Sequence, residues 1–164
     1  MTSSAVEFRR ILGQFATGVA IVTAQDRRGS RAGATINSFA SVSLEPPLVL
    51  FSLARSLNSF KTFLESEHFG ISILAADQHD LSVRFATSGA DKWSGTSLDC
   101  GDRCAPLIDR ALAKFECELH ATVDGGDHLI FVCRVLCCEA DINRNPLLFF
   151  RGRYLHPGEP LRSS

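Results

Sequence analysis

Two long segments of alternating apolar and polar residues dominate the second half of the chain. The first reads ALAKFECELHATV over 111–123, and the second reads HLIFVCRVLCCEA over 128–140. An alternation with a period of two is typical of strands that bury one face. The segment DGGD at 124–127 lies between them and has the residues of a tight turn. We therefore predict a long antiparallel hairpin, which requires a fold built around a sheet.

Shorter patterns predict the remaining elements. Helices are predicted over 4–15, 56–66 and 77–86, and strands over 18–24, 31–39, 48–53, 69–74 and 146–154. Ser4 with Glu7 indicates a capping box, and Ser56 is the expected cap of the second helix. Pro46 and Pro47 are expected to end strand pairing. Residues 87–107 contain three glycines, at 89, 95 and 101, and are predicted to be an irregular segment.

Most of these strands are joined by turns rather than by helical crossovers. This pattern favours a mainly β fold with peripheral helices, in which an antiparallel barrel carries the helices outside. The length of 164 residues predicts one domain over 1–164, with a loose tail at 156–164. We find no internal repeat.

Composition and charge exclude several classes of protein. Apolar residues make up 45% of the chain and charged residues 21%, as in globular proteins. A net charge of −1 gives no basic excess for a nucleic-acid partner. The apolar runs are too short to cross a bilayer, and the N-terminus has no uninterrupted apolar stretch of a signal peptide. We expect a cytoplasmic protein that binds neither nucleic acid nor membrane.

Six cysteines are present, and the plainest interpretation of them is structural. Cys100 and Cys104 have no second ligand pair at a suitable spacing, so no metal site is predicted. A secreted disulfide framework is possible in principle but fits poorly with the missing signal. Cys117, Cys133 and Cys137 fall in apolar runs, where we expect small buried side chains.

Several catalytic motifs are missing from the sequence. It contains no G-x-G-x-x-G after a strand, no Walker motif, no H-E-x-x-H and no G-x-S-x-G. No pair of carboxylates stands out as an acid and base.

The segment GATINSFASVSLEPPLVLFSL at 33–53 is rich in hydroxyl groups. On a strand, Thr35 and Asn37 share one face, and Ser41 and Ser43 continue it unless a bulge intervenes. Such groups, together with backbone N–H groups, can hold a phosphate or the polar edge of a heterocycle. Cross-strand hydrogen bonding in an ordinary sheet is the alternative explanation.

Three other positions could add to such a site. Ser56 and Ser59 lie at a predicted helix start, where anions are favoured, although simple capping explains Ser56 equally well. Arg84 and Arg55 could supply positive charge, or could be solvated surface residues. His128 follows a glycine-rich turn and could project into a cleft, although a lone histidine is more often an ordinary surface residue.

Taken together, these blocks resemble the flavin reductase family with the FMN-binding split-barrel fold. These proteins are the reductase components of two-component flavin-dependent monooxygenases. The resemblance spans about 6–154, and its most specific part is N-S-F-x-S-V-S-L-x-P-P-L-V at 37–49. It is carried by FATGVAIVTA at 15–24, the segment at 33–53, SLNSF at 56–60, RFA at 84–86, APLI at 105–108, GGDHLIF at 125–131 and LLFFRGRY at 147–154.

The resemblance implies roles for named residues of this sequence. The flavin would be bound by Thr35, Asn37, Ser38, Ser41, Val42, Ser43, Ser52, Ser56, Ser59, Arg84 and Phe85. The ribityl chain and phosphate would lie beside Thr35, Asn37 and Ser38, and the isoalloxazine ring beside Ser41, Val42 and Ser43. The nicotinamide nucleotide would be bound by His128, Arg153 and Tyr154, with His128 orienting the nicotinamide.

The resemblance also implies the reaction and the partners. NADH or NADPH would transfer a hydride to FAD or FMN, and the reduced flavin would diffuse to a monooxygenase component. The cofactor carries the electronic work in such a reaction, which agrees with the lack of an acid–base pair. Such reductases are generally homodimers.

Two departures and two alternatives accompany this interpretation. Ile36 replaces a common alanine, which would tighten the fit beside the flavin. Cys133 replaces a common glycine, and either change could alter the flavin or nucleotide contacts. A split-barrel protein with another oxidase role or a flavin-carrier role is one alternative. A non-catalytic sheet domain that mediates assembly is the other. The sequence does not decide between FAD and FMN, or between NADH and NADPH.

Overall fold

The computed structural model describes residues 4–100 and 105–158. The helical elements are α1 (Ala5–Leu12), α2 (Phe60–Glu65), a 3₁₀ turn (Ala76–Gln78) and α3 (His79–Ala86). The strands are β1 (Thr17–Gly18), β2 (Ala20–Gln25), β3 (Arg31–Ile36), β4 (Ala40–Leu44), β5 (Pro47–Ala54), β6 (His68–Ile73), β7 (Leu98–Cys100), β8 (Pro106–Ile108), β9 (Ala113–Gly125), β10 (His128–Ala140), β11 (Leu148–Phe150) and β12 (Arg153–Leu155).

Seven strands form the main antiparallel sheet, in the order β3-β2-β6-β9-β10-β5-β4. A smaller sheet has the order β1-β11-β12, and β7 pairs with β8. The predicted mainly β, antiparallel architecture is therefore confirmed.

The long hairpin is present as predicted. β9 and β10 each have 13 residues, and Gly125 lies opposite His128 across a two-residue turn. Gly126 has a φ of 76°, a backbone conformation that glycine adopts without strain. From Leu119 to Asp127 every residue is exposed, so the tip of the hairpin projects from the body of the sheet.

Two apolar clusters hold the sheet and the helices together. In the first, the rings of Phe51, Phe69 and Phe131 are fully buried where β5, β10 and β6 face the same interior. β5 alternates as its sequence predicts, because Val49, Phe51 and Leu53 are buried and their neighbours are less so. The second cluster packs Phe85 of α3 against Ile21, Ile108 and other apolar residues.

Several predicted boundaries were wrong, among them the end of the strand predicted over 31–39, because β3 ends at Ile36. The second helix begins at Phe60 rather than near Ser56, and Ser59 occupies its N-terminal cap without a side-chain hydrogen bond. Pro47 does not end strand pairing, because it pairs with Leu44 across the hairpin that joins β4 to β5. The segment predicted as one strand over 146–154 is a hairpin of β11 and β12, whose turn places Arg151 and Gly152 at φ values of 51° and 75°.

The first helix is shorter than predicted and carries an unburied apolar stripe. The Ser4 hydroxyl accepts a hydrogen bond from the Glu7 N–H at 3.2 Å, which confirms the cap. The apolar stripe comprises Phe8, Ile11 and Leu12 of α1 with Phe15 just beyond it, and each of these residues is more than half exposed. Among the described residues, no helix has both the length and the apolar character needed to span a bilayer.

The cysteines divide into two buried and two exposed thiols. Cys117 and Cys133 are buried as predicted, but Cys137 is exposed, together with Cys138. Between Val135 and Cys137 the register with β9 shifts by one residue, and this bulge breaks the alternation that would have placed Cys137 on the face of Cys133. The side chain of Cys100 and all of Cys104 lie outside the described residues.

Alkylation should separate these two classes. Burial raises the pKa of Cys117 to about 12 and also raises the pKa of Cys133. Because the thiolate is the nucleophile, we expect iodoacetamide at pH 8 to label Cys137 and Cys138 in the native protein. Cys117 and Cys133 should react only after unfolding, as measured by peptide mass spectrometry. Equal labelling of Cys117 and Cys137 in the native state would contradict the buried placement.

Candidate functional site

Two adjoining cavities lie at the end of β3, between the main sheet and the small sheet. The smaller, of about 170 Å³, is lined by Val19, Thr35, Ile36, Asn37, Phe149 and Tyr154. The larger, of about 370 Å³, is lined by Phe15, Ala16, Thr17, Gly18, Val19, Ala20, Ile36, Asn37, Phe39 and Ile73. Because the two share Val19, Ile36 and Asn37, we call them together the Asn37 cleft.

Two polar groups of the cleft have no hydrogen-bond partner in the part of the chain that the structure describes. The Thr17 hydroxyl is buried without a hydrogen bond. Asn37 is exposed, and its amide forms no hydrogen bond with a described residue. Buried polar groups are nearly always satisfied, so the Thr17 hydroxyl indicates that the cleft accepts a ligand with a polar group of its own, and the exposed Asn37 amide offers a further donor and acceptor beside it. The polar edge of a flavin ring has both, on an aromatic body that suits the apolar walls.

The hydroxyl groups of Thr35 and Tyr154 tie the cleft to α3. Thr35 Oγ1 donates to the Ser82 carbonyl at 2.6 Å, and the Tyr154 hydroxyl lies 2.8 Å from Ser82 Oγ. The ring of Tyr154 packs edge-on against Phe149, with 5.3 Å between the centroids. Since its proton is already donated, Thr35 can accept a hydrogen bond from a ligand hydroxyl but has no proton left for a phosphate.

Ser38 and Ser52 bond to each other rather than to the cleft. Ser38 Oγ donates to the Ser52 carbonyl at 3.1 Å and accepts from the Ser52 N–H at 3.0 Å. The hydroxyl thus substitutes for a backbone group and holds the segment after β3 against β5. In this arrangement Ser38 positions its neighbour Asn37, because its single proton is already used.

Ser41, Val42 and Ser43 form part of the edge strand β4. The register with β5 shifts between Ser41 and Ser43, so the bulge that would interrupt their common face is present. Ser41 and Val42 are exposed, and Ser43 Oγ accepts from the Glu45 N–H at 3.2 Å. The backbone groups at the bulge are therefore displaced from regular pairing, next to exposed side chains.

The segment after β5 is joined to the tip of the long hairpin. Arg55 N–H donates to the Asp127 carbonyl at 2.9 Å, and its Nε donates to the Gly126 carbonyl at 3.0 Å. Its guanidinium also lies 3.5 Å from Asp124 Oδ2. Ser56 is exposed and Ser59 half-buried, so both remain accessible at the start of α2.

His128 lies at the base of that same turn and is half-buried. Its Nδ1 is 2.7 Å from Asp127 Oδ1. The hydrogen bond and the charge of His128 lower the pKa of Asp127, which therefore stays ionised at neutral pH. A carboxylate on Nδ1 orients the imidazole and leaves Nε2 free to meet a ligand. Arg153 is exposed on β12, next to Tyr154.

Arg84 and Phe85 connect α3 to the loop that follows it. Arg84 Nη1 donates to the Ser94 carbonyl and to Thr96 Oγ1, each at 3.2 Å. The buried Phe85 ring packs edge-on against Trp93, with 5.4 Å between the centroids. From the same loop, Lys92 Nζ donates to the Gly33 carbonyl at 2.9 Å, and burial lowers the pKa of Lys92.

The structure brings some of the predicted residues together and leaves others apart. Thr35, Asn37 and Tyr154 line one cleft, and Arg55 links the Ser56–Ser59 segment to His128. Ser41 lies opposite Val49 on β5, whereas His128 lies opposite Ala54 at the far end. Five residues of a strand separate these positions by about 17 Å. Ser41 and His128 therefore do not form one cluster within a protomer.

Sequence reasoning missed several residues of the site. Ser82 is buried on the inward face of α3, four residues after the buried Gln78 and three before Phe85. That helical spacing was a signal for an inward position, because a small polar residue between two core positions needs a partner. Phe149 and Thr17 are more than a hundred residues apart in sequence. They meet in the cleft because β1 pairs with β11.

Comparisons with known proteins agree with this geometry. Residues 12–157 match the family described as "Flavin reductase like domain". The chain is 45% identical over 147 residues to an FMN reductase (NADH) of Agrobacterium fabrum, covering 90% of this chain and 83% of that protein.

Two solved structures are also similar. An NADH:FAD oxidoreductase of Streptomyces globisporus, solved with NAD and FAD fragments, superposes with a TM-score of 0.88 at 35% identity, covering 93% of this chain and 92% of that one. The styrene monooxygenase flavin reductase of Pseudomonas putida gives a TM-score of 0.86 at 35% identity, with coverage of 94% and 99%. The expected split-barrel fold is thereby confirmed, and the chain belongs to the flavin reductase family.

Proposed function

We propose that this protein is an NAD(P)H:flavin oxidoreductase that supplies reduced FMN or FAD to a flavin-dependent monooxygenase. The observation that carries the proposal is the Asn37 cleft, which holds the buried, unpartnered Thr17 hydroxyl and the exposed Asn37 amide in a chain of the flavin reductase family. A bound flavin supplies the hydride acceptor, so the protein has to bind and align two rings.

On the flavin side, the cleft and the edge strand have different tasks. Asn37 and the Thr17 hydroxyl offer free polar groups, and Thr35 offers an acceptor. Ser41, Val42 and Ser43 border the ring through the backbone at the bulge. The phosphate is bound by Ser56, Ser59 and Arg84. The buried Phe85 packs beneath Arg84 in the core. The hydrogen bonds between Ser38 and Ser52 fix the position of Asn37.

On the nicotinamide side, His128 orients the incoming nucleotide and holds no obligatory proton. Asp127 fixes the imidazole at Nδ1, and Arg153 and Tyr154 enclose the nucleotide from β12. The hydride step requires alignment of two rings rather than a base.

Replacing His128 with alanine should impair nucleotide binding more than chemistry. We expect the KM for NADH to rise about tenfold, which is about 1.4 kcal/mol of lost binding, with a smaller change in kcat. A His128→Asn variant, which keeps a polar group, should recover part of the loss. The measurement is steady-state NADH oxidation at saturating flavin. An unchanged KM in His128→Ala would remove the assigned role.

A homodimer fits the apolar stripe of α1. Phe8, Ile11, Leu12 and Phe15 are each more than half exposed, and none of them belongs to either apolar cluster of the described residues. A second copy that covers this stripe would bury it, as interfaces of homodimers commonly do.

A charge in the stripe should break that dimer. We expect Leu12→Glu to shift the sedimentation coefficient from dimer to monomer, because a carboxylate would be buried without a partner. Arg10→Glu, which changes charge on the same helix outside the stripe, serves as the control and should remain dimeric. A wild-type protein that sediments as a monomer would contradict the assembly.

The proposed compartment is the cytoplasm. The four described cysteines are free, and Cys137 and Cys138 are exposed thiols, which persist in reducing surroundings.

The decisive test is oxidation of NADH and NADPH, followed at the nicotinamide absorbance band with and without FMN, FAD or riboflavin. We expect oxidation of the nicotinamide nucleotide that depends on added flavin. The rates would rank NADH against NADPH and the three flavins against one another. Consumption of the reduced flavin by an added monooxygenase component then tests the partner. Measurable flavin binding without oxidation by either nucleotide would refute the reductase activity while leaving the fold intact.

A further inference from the structure

A second large cavity, of about 720 Å³, lies between α1 and the turn that joins β11 to β12. Its lining residues are Arg9, Arg10, Ile11, Gly13, Gln14, Arg151 and Gly152. We call it the arginine cavity. Three guanidinium groups border it and no carboxylate does.

The arginine on the β11–β12 turn is held firmly in place. The Arg151 N–H donates to the Gly13 carbonyl at 3.0 Å, and its Nε donates to Gln14 Oε1 at 2.9 Å. Its guanidinium also stacks 4.8 Å from the centroid of Phe150. With its φ of 51°, the turn presents Arg151 to the last turn of α1. The cation is thus preorganised by contacts that leave its other nitrogen atoms free.

Arg9 and Arg10 face the cavity from the opposite wall. They lie on the side of α1 away from Phe8 and Phe15, and Ile11 of the apolar stripe borders the same cavity. Among the described residues, neither guanidinium forms an ion pair within 4.0 Å. Cations in the last turn of a helix are favoured by its dipole, but this effect does not explain a third arginine facing them from another element.

The arginine cavity has links to both parts of the proposed site. The hydrogen bond and the charge of His128 are the main causes of the lowered pKa of Asp127, and the charge of Arg9 makes a small further contribution. Arg151 is two residues from Phe149, which lines the Asn37 cleft, and this is a separation of about 7 Å along the strand. A dinucleotide whose ring occupies the cleft would therefore extend its diphosphate toward this turn.

We propose that the arginine cavity binds the diphosphate of a dinucleotide. Arginine binds phosphate oxygen atoms through paired hydrogen bonds, and three guanidinium groups are enough to neutralise the two negative charges of a diphosphate. The proposal rests on the proposed function, because both NAD(P)H and FAD contain this group. FMN and riboflavin lack it.

The test compares two double variants that remove equal charge. Arg9→Gln/Arg10→Gln alters the cavity, and Arg27→Gln/Arg28→Gln alters the exposed turn between β2 and β3. The probe is ADP-ribose, measured by titration calorimetry at low salt, with adenosine as the probe that lacks phosphate. We expect the Kd of ADP-ribose to rise at least tenfold in the first variant and less than twofold in the second. Equal losses in both variants, or no ADP-ribose binding by the wild type, would overturn the proposal.

Kinetics then identify which dinucleotide uses the cavity. A higher KM for NADH with an unchanged KM for reduced nicotinamide mononucleotide assigns the diphosphate of the nicotinamide dinucleotide. A higher KM for FAD with an unchanged KM for FMN assigns that of FAD. Unchanged KM values for both dinucleotides would contradict the proposal. If the wild type oxidises no nicotinamide nucleotide, the reductase activity fails, and ADP-ribose binding still tests the cavity independently.

Discussion

A Phe131→Ala variant is expected to lose about 3–5 kcal/mol of unfolding free energy, the largest stability effect that we predict for this chain. The Phe131 ring is fully buried and stacks on Phe51 at 5.0 Å with an interplanar angle of 7°. It also meets the edge of Phe69 at 5.6 Å. Truncation removes apolar contacts on β5, β6 and β10 at once and leaves a cavity that these paired strands cannot collapse to fill.

Urea denaturation followed by circular dichroism measures this loss, provided that the slope of the transition is unchanged. Phe131→Leu, which keeps most of the apolar volume, should lose much less. Leu44→Ala is the surface control, because Leu44 is 94% exposed, and it should stay within about 0.5 kcal/mol of the wild type. If Phe131→Ala and Leu44→Ala unfold at the same urea concentration, the assigned core is wrong.

Gly33→Ala is expected to reduce both stability and flavin affinity. A Cβ at position 33 would lie 2.6 Å from Cε1 and 2.8 Å from Cδ1 of the buried Phe85 ring. The ring is confined by Trp93, so the strand and α3 must separate. Overpacking of this kind costs about 1–3 kcal/mol. Because α3 carries Ser82, the displacement also disturbs the contacts of Thr35 and Tyr154 beside the Asn37 cleft.

Flavin fluorescence titration and thermal unfolding test both effects in the same samples. We expect a Kd for FMN about tenfold higher in Gly33→Ala, equivalent to about 1.4 kcal/mol. Gly158→Ala is the matched control, because a Cβ there meets nothing within 4 Å and Gly158 lies outside the Asn37 cleft. Adding Phe85→Leu to Gly33→Ala should restore part of the stability by making room. A Gly33→Ala protein with wild-type stability would show that β3 and α3 are not closely packed.

The elements that sequence patterns predicted well are those whose information is local. The hairpin of β9 and β10 depends on alternation within each strand and on a glycine at the turn, and both can be read without knowing the fold. The exposure of Cys137 was not predictable in this way. One extra residue at a bulge reverses the facing of a strand, and nothing in VLCCEA indicates where that residue is inserted.

Errors of another kind came from pairing between distant segments. The pattern at 146–154 is apolar enough for one strand, but Arg151 and Gly152 form a two-residue turn with positive φ at both positions, and contacts of Arg151 with Gly13 and Gln14 hold this turn against α1. α1 has the periodicity of a helix that packs on a core, yet its apolar stripe is exposed in the protomer. Periodicity identifies an apolar face but does not say whether the covering surface belongs to the same chain.

For the candidate site, the residue types were predictable and the hydrogen bonds were not. Thr35 and Ser38 both belong to the hydroxyl-rich segment, but each donates its proton to a backbone carbonyl of another element. Only the folded arrangement separates them from Asn37, whose amide forms no hydrogen bond with the residues that the structure describes. The arginine cavity was invisible for the same reason, since Arg10 and Arg151 are far apart in sequence and meet only through the small sheet.

Arg55 gives the two halves of the proposed site a shared dependence. It begins the segment that carries Ser56 and Ser59, and it also holds the turn beside His128 through the carbonyl groups of Gly126 and Asp127. If a bound flavin orders the segment of Ser56 and Ser59, it changes the free energy of the turn beside His128, where the nicotinamide nucleotide would bind. Thermodynamic linkage makes this effect reciprocal. Substitutions on the two sides should therefore be epistatic, and the tolerance for change at one side would depend on the residue present at the other.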